Sequence, residues 1–383
     1  MNSEFMIFLN EVRMSKDTLS VTKKLLEKYP IWTIRENKSM WIYHPEKGFF
    51  KANADTYLGE LCVRNLQGQT FYQDLLFNIK NMTWIDIEKF ESDPNFINFR
   101  NGVYDIIEDK ILNFDPKYKF KYNLDIDYDI YASCPIFESM VKNMTKNQED
   151  YDLIQRWFGY QLFKSSSRLE KKSLFIAGPP DVGKSTLLWV LQQINGEGNY
   201  TTNSLRDISS DIKYFIADLY GKSANICADI SMIGPKDISS FKQLTGGDLV
   251  TARKVRGNPF KFMNHAKLTF ACNRFPLIEE PILSDKAFWN RIMTIISQKG
   301  YDKEDKSIRY KLKNELAGIL NWTIKGLKDY MKDGFSCYNK SWEETKEVWI
   351  KNMTMTNSPT RNRSIRSVPE EELLKFPNNS IKS

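Results

Sequence analysis

Apolar positions divide the chain into segments with different predicted structures. From Tyr151 to Leu162 they recur at intervals of three and four residues, which is typical of an amphipathic helix. Helical patterns return at 312–327 and 342–349. Between these regions, residues 173–297 alternate buried-strand runs with helical runs, which predicts an α/β core. After Met353 the chain is rich in Asn, Ser, Thr, Arg and Pro, so we expect a largely disordered tail.

Upstream of Tyr151 the pattern favours short strands. Asn101-Gly102 lies between apolar runs at 97–99 and 103–106, which is a strong hairpin signal, and a further strand is predicted at 110–112. These patterns divide the chain at the following boundaries: a mixed N-terminal region at 1–93 with no assigned function, a small β-containing domain at 94–148, a helical lead-in and α/β core at 149–300, C-terminal helices at 301–353, and the tail at 354–383.

The segment 178–185 reads G-P-P-D-V-G-K-S, a G-x-x-x-x-G-K-S motif between a strand pattern and a helix pattern. Gly178 and Gly183 allow backbone N–H groups to face phosphate oxygens, and the following helix adds its N-terminal dipole. We expect Lys184 to contact the β- and γ-phosphates of ATP and the Ser185 hydroxyl to ligate Mg²⁺. The predicted nucleotide-binding residues are Gly178, Pro179, Pro180, Asp181, Val182, Gly183, Lys184, Ser185 and Thr186.

Two later strand patterns end in polar residues suited to the same chemistry. Asp229 ends the run 223–229, where a carboxylate on a neighbouring strand would hold Mg²⁺ or polarise the attacking water. The residue before Asp229 is Ala228, which supplies no second carboxylate. Either Asp229 alone both holds Mg²⁺ and polarises the water, or Asp218 or Asp237 contributes. The run 267–273 ends in Asn273, whose carboxamide would bind the γ-phosphate or orient the lytic water.

The run 242–253, K-Q-L-T-G-G-D-L-V-T-A-R, lies between these two strands. Together with the phosphate loop, Asp229 and Asn273, it resembles the superfamily 3 helicases, above all the primase-helicases of phages, plasmids and large DNA viruses. Agreement extends downstream through 258–262, 264–267, 273–276 and 289–292, and upstream through 98–105, 128–129 and 157–162. The resemblance covers about residues 95–330 and leaves 1–93 and the tail unexplained.

The resemblance implies an α/β fold with an AAA+-like P-loop NTPase core, preceded by a mixed α+β region and followed by helices. It also implies a homo-oligomeric ring, usually a hexamer, with ATP between subunits. Arg291 is then the candidate arginine finger for a neighbour's γ-phosphate, with Arg274 and Lys267 as further candidates for that site. The implied catalytic residues are Lys184, Asp229, Asn273 and Arg291, and the implied metal ligands are Ser185 and Asp229.

A channel hairpin between Thr251 and Phe262 is implied as well. Its tip would carry Arg253, Lys254 and Arg256, cations that contact the phosphates of single-stranded DNA without reading its sequence, with support from Lys242. A formal net charge of +7 suits a polyanionic partner but is weak evidence alone.

Composition adds constraints on site type and location. The five cysteines form no C-x-x-C pair and the two histidines are far apart in sequence, which disfavours a structural zinc site. No apolar run reaches about 18 residues, so we expect no membrane span. An odd cysteine count without a signal peptide favours a reducing, cytoplasmic location, inside the host cell if the gene is viral or plasmid-borne.

These features favour an ATP-dependent DNA helicase of replication, and three alternatives stay open. Asp125, Asp127 and Asp129 suggest either the metal site of a primase-polymerase or a structural turn. In the second alternative, an oligomer uses ATP only as an assembly switch on DNA. In the third, the chain is the helicase fragment of a larger primase-helicase, with a primase or polymerase domain as partner. In residues 1–93, tryptophans interleaved with lysines are compatible with base stacking, but core packing of the aromatic rings is the favoured interpretation.

Overall fold

The computed structural model describes residues 17–64, 68–163, 170–210, 212–297 and 305–353. The predicted disorder of the tail at 354–383 lies outside these residues. The N-terminal part contains a four-stranded sheet in the order β3-β2-β1-β4, in which β1, β2 and β3 pair antiparallel and β4 joins β1 in parallel. Its elements are α1 (Thr18–Lys28), β1 (Ile31–Ile34), β2 (Met40–His44), β3 (Phe49–Ala52), α2 (Ala54–Arg64), α3 (Gln69–Met82) and β4 (Trp84–Ile85).

The tryptophans of this sheet serve packing. Trp32 and Trp41 are half-buried against a cluster that includes Phe50 and Phe90, and the Trp41 and Phe90 ring centroids are 5.7 Å apart. The Trp41 indole N–H donates to Ser39 Oγ at 3.0 Å. These contacts support core packing over base stacking in this region.

The predicted hairpin at Asn101-Gly102 is confirmed. β5 (Phe96–Phe99), β6 (Gly102–Asp105) and β7 (Lys110–Leu112) form an antiparallel three-stranded sheet in chain order. Gly102 has φ +156°, and a Cβ there would lie 2.8 Å from the Leu112 carbonyl oxygen, so the close approach of β6 and β7 requires glycine.

The three acids that follow, Asp125, Asp127 and Asp129, contact nearby residues of the same domain. Asp127 accepts two hydrogen bonds from the Arg100 guanidinium, one of them from Nε at 2.9 Å. Asp125 lies 3.9 Å from the same guanidinium, and Asp129 accepts from the Tyr131 N–H at 3.0 Å. Within the described ranges, no three His, Cys, Asp or Glu residues are grouped to hold a metal ion. The triplet therefore fits the structural-turn interpretation.

The rest of the described chain begins with two helices, continues with an α/β core and ends with three helices. The elements are α4 (Pro135–Met144), α5 (Gln148–Leu162), β8 (Ser173–Ala177), α6 (Lys184–Asn195), β9 (Tyr200–Thr201), α7 (Leu205–Ser209), α8 (Lys213–Asp218), β10 (Ala224–Cys227), α9 (Ser239–Gly246), β11 (Leu249–Arg253), β12 (Pro259–Met263), β13 (Lys267–Cys272), α10 (Lys286–Trp289), β14 (Ile292–Ile296), α11 (Ile308–Asn314), α12 (Leu316–Asp333) and α13 (Trp342–Met353). Short 3₁₀ turns lie at Ile87–Phe90, Pro116–Tyr118 and Ile282–Ser284.

The predicted α/β core is a parallel sheet in the order β14-β8-β13-β10-β9. Every residue of β8 and β13 is buried, as expected for central strands covered on both faces. The indole N–H of Trp157 on α5 donates to Thr269 Oγ1 at 2.9 Å. The buried Trp349 of α13 stacks on Phe275, with ring centroids 4.4 Å apart. Helices thus complete the core on both sides of the sheet.

Reciprocal glycines allow α5 and α12 to cross in close contact. A Cβ on Gly159 would overlap the backbone at Leu327, and a Cβ on Gly326 would overlap the carbonyl of Gln155. The Gln155 side-chain amide also donates to the Trp322 carbonyl at 3.1 Å. The helix lead-in and the C-terminal helices therefore share one tightly packed interface.

The helical pattern predicted at 312–327 forms two helices instead of one. The pattern is divided at Glu315 into α11 and α12. The Glu315 carboxylate accepts from the N–H groups of Ile136 and Phe137 at 3.1 and 3.0 Å. This contact satisfies amides at the start of α4.

Among the described helices, none combines the length and apolar character needed to cross a membrane.

Candidate functional site

The predicted phosphate loop crosses the carboxyl edge of the sheet between β8 and α6. Gly183 has φ +91°, and a Cβ on Gly178 would lie 2.8 Å from the Ser297 carbonyl oxygen. Asp181 is also in the left-handed region, at φ +60°. Gly183 caps α6 without a side-chain hydrogen bond, so the first amides of the helix are left for another acceptor. A tight loop leading into a helix without a side-chain cap is suited to bind an anion.

Lys184 is buried in this loop and holds it closed. Its Nζ donates to the carbonyls of Gly178 and Pro179 at 2.8 and 2.6 Å and to Asn273 Oδ1 at 3.2 Å. Burial lowers the pKa of the Lys184 ammonium, and the nearby carboxylates of Asp181 and Asp229 oppose that shift. The ammonium is therefore held by three oxygen acceptors within the chain.

The sheet order explains how Asn273 reaches Lys184. It also corrects the expectation that Asp229 ends the strand next to the phosphate loop. The strand beside β8 is β13, which ends immediately before Asn273, while β10, which leads to Asp229, lies one strand farther away. The Ile230 N–H donates to the Ala271 carbonyl at 3.2 Å, so the chain around Asp229 runs alongside β13. Asp229 is exposed at this edge. Lys184, Asn273 and Asp229 thus gather at the carboxyl edge, although Asp229 is not on the strand next to the loop.

The two alternative acids lie on helix α8 and beside helix α9. Asp237 accepts from the backbone N–H and the hydroxyl of Ser239, at 3.1 and 2.8 Å, at the beginning of α9. Asp218 is exposed at the end of α8. Ser185 and Thr186 lie on the first turn of α6 and are exposed and half-buried respectively.

Arg291 lies at the opposite, amino edge of the sheet. Its carbonyl accepts from the Ser173 N–H at 2.7 Å, at the start of β8. The five residues of β8 separate this point from the phosphate loop by about 17 Å at 3.3 Å per residue. The guanidinium donates to Thr245 Oγ1 at 3.0 Å and to the Ala287 carbonyl at 2.7 Å. Arg291 therefore cannot reach the phosphate loop of its own chain.

The two further finger candidates are placed differently. Arg274 follows Asn273 at the carboxyl edge, on the same side of the sheet as its own phosphate loop. Lys267 begins β13 at the amino edge but is buried, with Nζ donating to the Phe163 carbonyl and lying 5.0 Å from the Tyr160 ring centroid. Burial lowers the pKa of Lys267 to about 7. A side chain enclosed in this way is not available to a neighbouring subunit.

The expected hairpin is present, with β11 and β12 paired from Leu249–Met263 to Arg253–Pro259. The Gly257 N–H donates to the Lys254 carbonyl at 2.9 Å, which closes the turn, and Arg256 occupies it at φ +57°. The three predicted cations are exposed at or beside the tip. The hairpin therefore presents positive charge away from the body of the sheet.

Lys242 differs from the other predicted DNA contacts. Its Nζ forms an ion pair with Asp285 Oδ2 at 2.8 Å, and both side chains are partly buried. The pair lowers the pKa of Asp285, although burial opposes that shift. Lys242 thus has a partner within the chain, and its predicted contact with DNA stays a prediction. No sequence pattern linked Asp285 to it, because the two residues meet only through tertiary packing.

Comparison with known proteins adds two family matches. Residues 26–146 match the family model "D5 N terminal like". Residues 176–291, from β8 through Arg291, match a family of unknown function, DUF5906. The N-terminal third of the chain is similar to the D5 N-terminal family. That match begins at residue 26, which corrects the expectation that similarity to known families starts near Asn95.

Solved structures show that the fold has precedents. The apo structure of the NrS-1 C-terminal region (305–718) has a TM-score of 0.55 at 15% identity, covering 89% of this chain and 76% of that one. An A-form apo structure of the same region has a TM-score of 0.56 at 14% identity, with the same two coverages. A third, also an A-form apo structure of the NrS-1 C-terminal region, has a TM-score of 0.54 at 14% identity, covering 88% and 76%. At this identity the likeness concerns the fold alone. No curated protein matches the sequence.

Proposed function

We propose that this chain is an ATP-hydrolysing motor of DNA replication that moves along single-stranded DNA. The observation that carries the proposal is the meeting of Lys184 and Asn273 at 3.2 Å, at the edge where the glycine loop enters α6. The D5-type N-terminal match and the resemblance to primase-helicases support a role in replication.

The residues of the loop fit a nucleoside triphosphate with Mg²⁺. The uncapped amides of α6 suit phosphate oxygens, and Lys184 would exchange its carbonyl acceptors for them. Ser185 and Asp229 would hold the metal, and the Asn273 amide would orient the attacking water. Mg·ATP, when bound, supplies the phosphoanhydride whose hydrolysis drives movement.

The position of Arg291 supports a site shared between subunits. Because this guanidinium lies at the edge away from its own loop, it would serve only a neighbouring chain whose carboxyl edge faces it. A head-to-tail contact of this kind repeats and closes into a ring when the rotation allows. We therefore propose a homo-oligomeric ring, with the basic hairpins gripping DNA phosphates and a primase or polymerase domain as a further partner.

Steady-state ATP hydrolysis with and without single-stranded DNA tests the proposal. We expect DNA-stimulated turnover that is abolished in Lys184→Ala and retained in Lys325→Ala, an exposed lysine on α12. Arg291→Ala should lower turnover by about 10³-fold or more if it acts as a finger. ATP binding without turnover in the wild type would refute the motor and favour the assembly-switch alternative.

A mixing experiment tests the shared site. Lys184→Ala and Arg291→Ala chains are each expected to be inactive, but their mixture contains interfaces that combine an intact loop with an intact finger. Random assembly gives about one quarter of interfaces this composition, so roughly that share of wild-type turnover should return. A mixture that stays inactive, although mixed oligomers form, would contradict action between subunits.

A further inference from the structure

Three aromatic rings pack together where the basic hairpin leaves the body of the protein. The Tyr220 ring lies 5.2 Å from the Phe260 ring at 70° and 5.4 Å from the Phe262 ring at 76°. Phe262 is buried, Phe260 is half-buried, and Tyr220 is 39% exposed. The cluster is therefore sealed at Phe262 and open to solvent at the other two rings.

The register of the hairpin explains this opening. Phe262 pairs with Val250 and Phe260 with Ala252, so both aromatic rings stand on the same face of the hairpin. Phe260 is two pairs nearer the tip, opposite an alanine whose methyl group covers little of the ring. Phe260 and Tyr220 are therefore the two rings of the cluster that reach solvent.

Exposed cations at the hairpin tip lie near the open rings. Lys261 is exposed but lies on the opposite face of the hairpin from the two phenylalanines, whereas Lys254 and Arg256 are exposed at the tip, where Gly257 lies about 10 Å beyond Phe260 at 3.3 Å per residue. Among the described residues, no carboxylate forms an ion pair with Arg253, Lys254, Arg256 or Lys261. The nearby carboxylate of Glu91 is itself paired with Lys121 at 2.6 Å.

We propose that Tyr220 and Phe260 form a platform on which bases of single-stranded DNA stack, while the hairpin cations hold the adjoining phosphates. This inference rests on the proposed function and names the part of the strand that the site recognises. Exposed aromatic faces beside cations are the combination by which single-stranded nucleic acid is bound without sequence preference. A duplex keeps its base faces covered and would gain nothing from the rings.

Oligonucleotides with and without bases separate stacking from charge. Fluorescence anisotropy would compare a labelled oligo-dT with an abasic strand of the same length. We expect the wild type to prefer oligo-dT by about 5- to 150-fold, the range given by one stacked base. Tyr220→Leu and Phe260→Leu should reduce this ratio toward one with little change in affinity for the abasic strand, because leucine retains apolar packing. Tyr220→Phe, which keeps the ring face, should preserve the ratio.

Each remaining outcome is informative. Arg256→Ala should weaken both strands by the same factor and leave the ratio intact, since its contact is with phosphate. A base preference that survives both leucine variants would overturn the platform, as would equal wild-type binding to the two strands. Equal binding would leave the hairpin's phosphate contacts standing, whereas no binding to either strand would count against the proposed function itself.

Discussion

Replacing Lys267 with methionine is expected to stabilise the protein near neutral pH. The ammonium group is buried, with the Phe163 carbonyl and the Tyr160 ring around it, and burial lowers its pKa from 10.5 to about 7. Methionine has a similar length and no charge, so it fills the same space without the desolvation cost.

The pKa difference sets the size and the pH window of the effect. Lowering the pKa from 10.5 to about 7 corresponds to about 5 kcal/mol, because each tenfold change in proton affinity is worth about 1.4 kcal/mol. Between about pH 7 and 10 the unfolded chain binds the proton and the folded chain does not, so this residue makes stability rise with pH. Its cost is fully present below about pH 7 and disappears as the pH approaches 10. Losing the hydrogen bond to Phe163 offsets about 1 kcal/mol of the gain.

Urea unfolding at pH 7, 8 and 9 measures this effect. We expect Lys267→Met to be more stable than the wild type by about 2–4 kcal/mol at pH 7, with the difference shrinking by about 1.4 kcal/mol for each pH unit. The exposed Lys325→Met should show a small difference that does not vary with pH. Parallel pH curves for the wild type and Lys267→Met, or a less stable variant at pH 7, would refute the interpretation of Lys267 as a buried, uncompensated amine.

Two other substitutions test how the helices are held. Gly159→Ala should destabilise the protein by about 1–3 kcal/mol or more, because the added methyl meets the Leu327 backbone; Gly68→Ala, with nothing within 4 Å, is the control, and equal melting temperatures would contradict the close crossing. Glu315→Gln should cost about 1 kcal/mol by weakening the charge-assisted cap on α4, seen in urea unfolding at pH 7, and a neutral effect would show that the cap adds no stability.

Local structure was predictable where neighbouring residues carry it. The Asn101-Gly102 hairpin, the amphipathic helix through Leu162 and the strand–loop–helix around Lys184 follow from turn chemistry and short-range periodicity. The hairpin between β11 and β12 was predicted from the resemblance, not from its own pattern. The break at Glu315 and the cap that its carboxylate makes on α4 were both missed, because a continuous apolar pattern carries no sign of contacts with a distant helix.

The candidate site also has one part that the local sequence predicts and another part that depends on tertiary packing. The sequence by itself determined the loop from Gly178 to Ser185, since its chemistry lies in consecutive residues. Only the tertiary structure decided that β13 lies between β8 and β10, which brings Asn273 to Lys184 and sets Asp229 one strand away. It also decided that Arg291 faces away from its own loop. Parallel strands pair through long crossovers, so their order depends on packing between distant segments that no local pattern encodes.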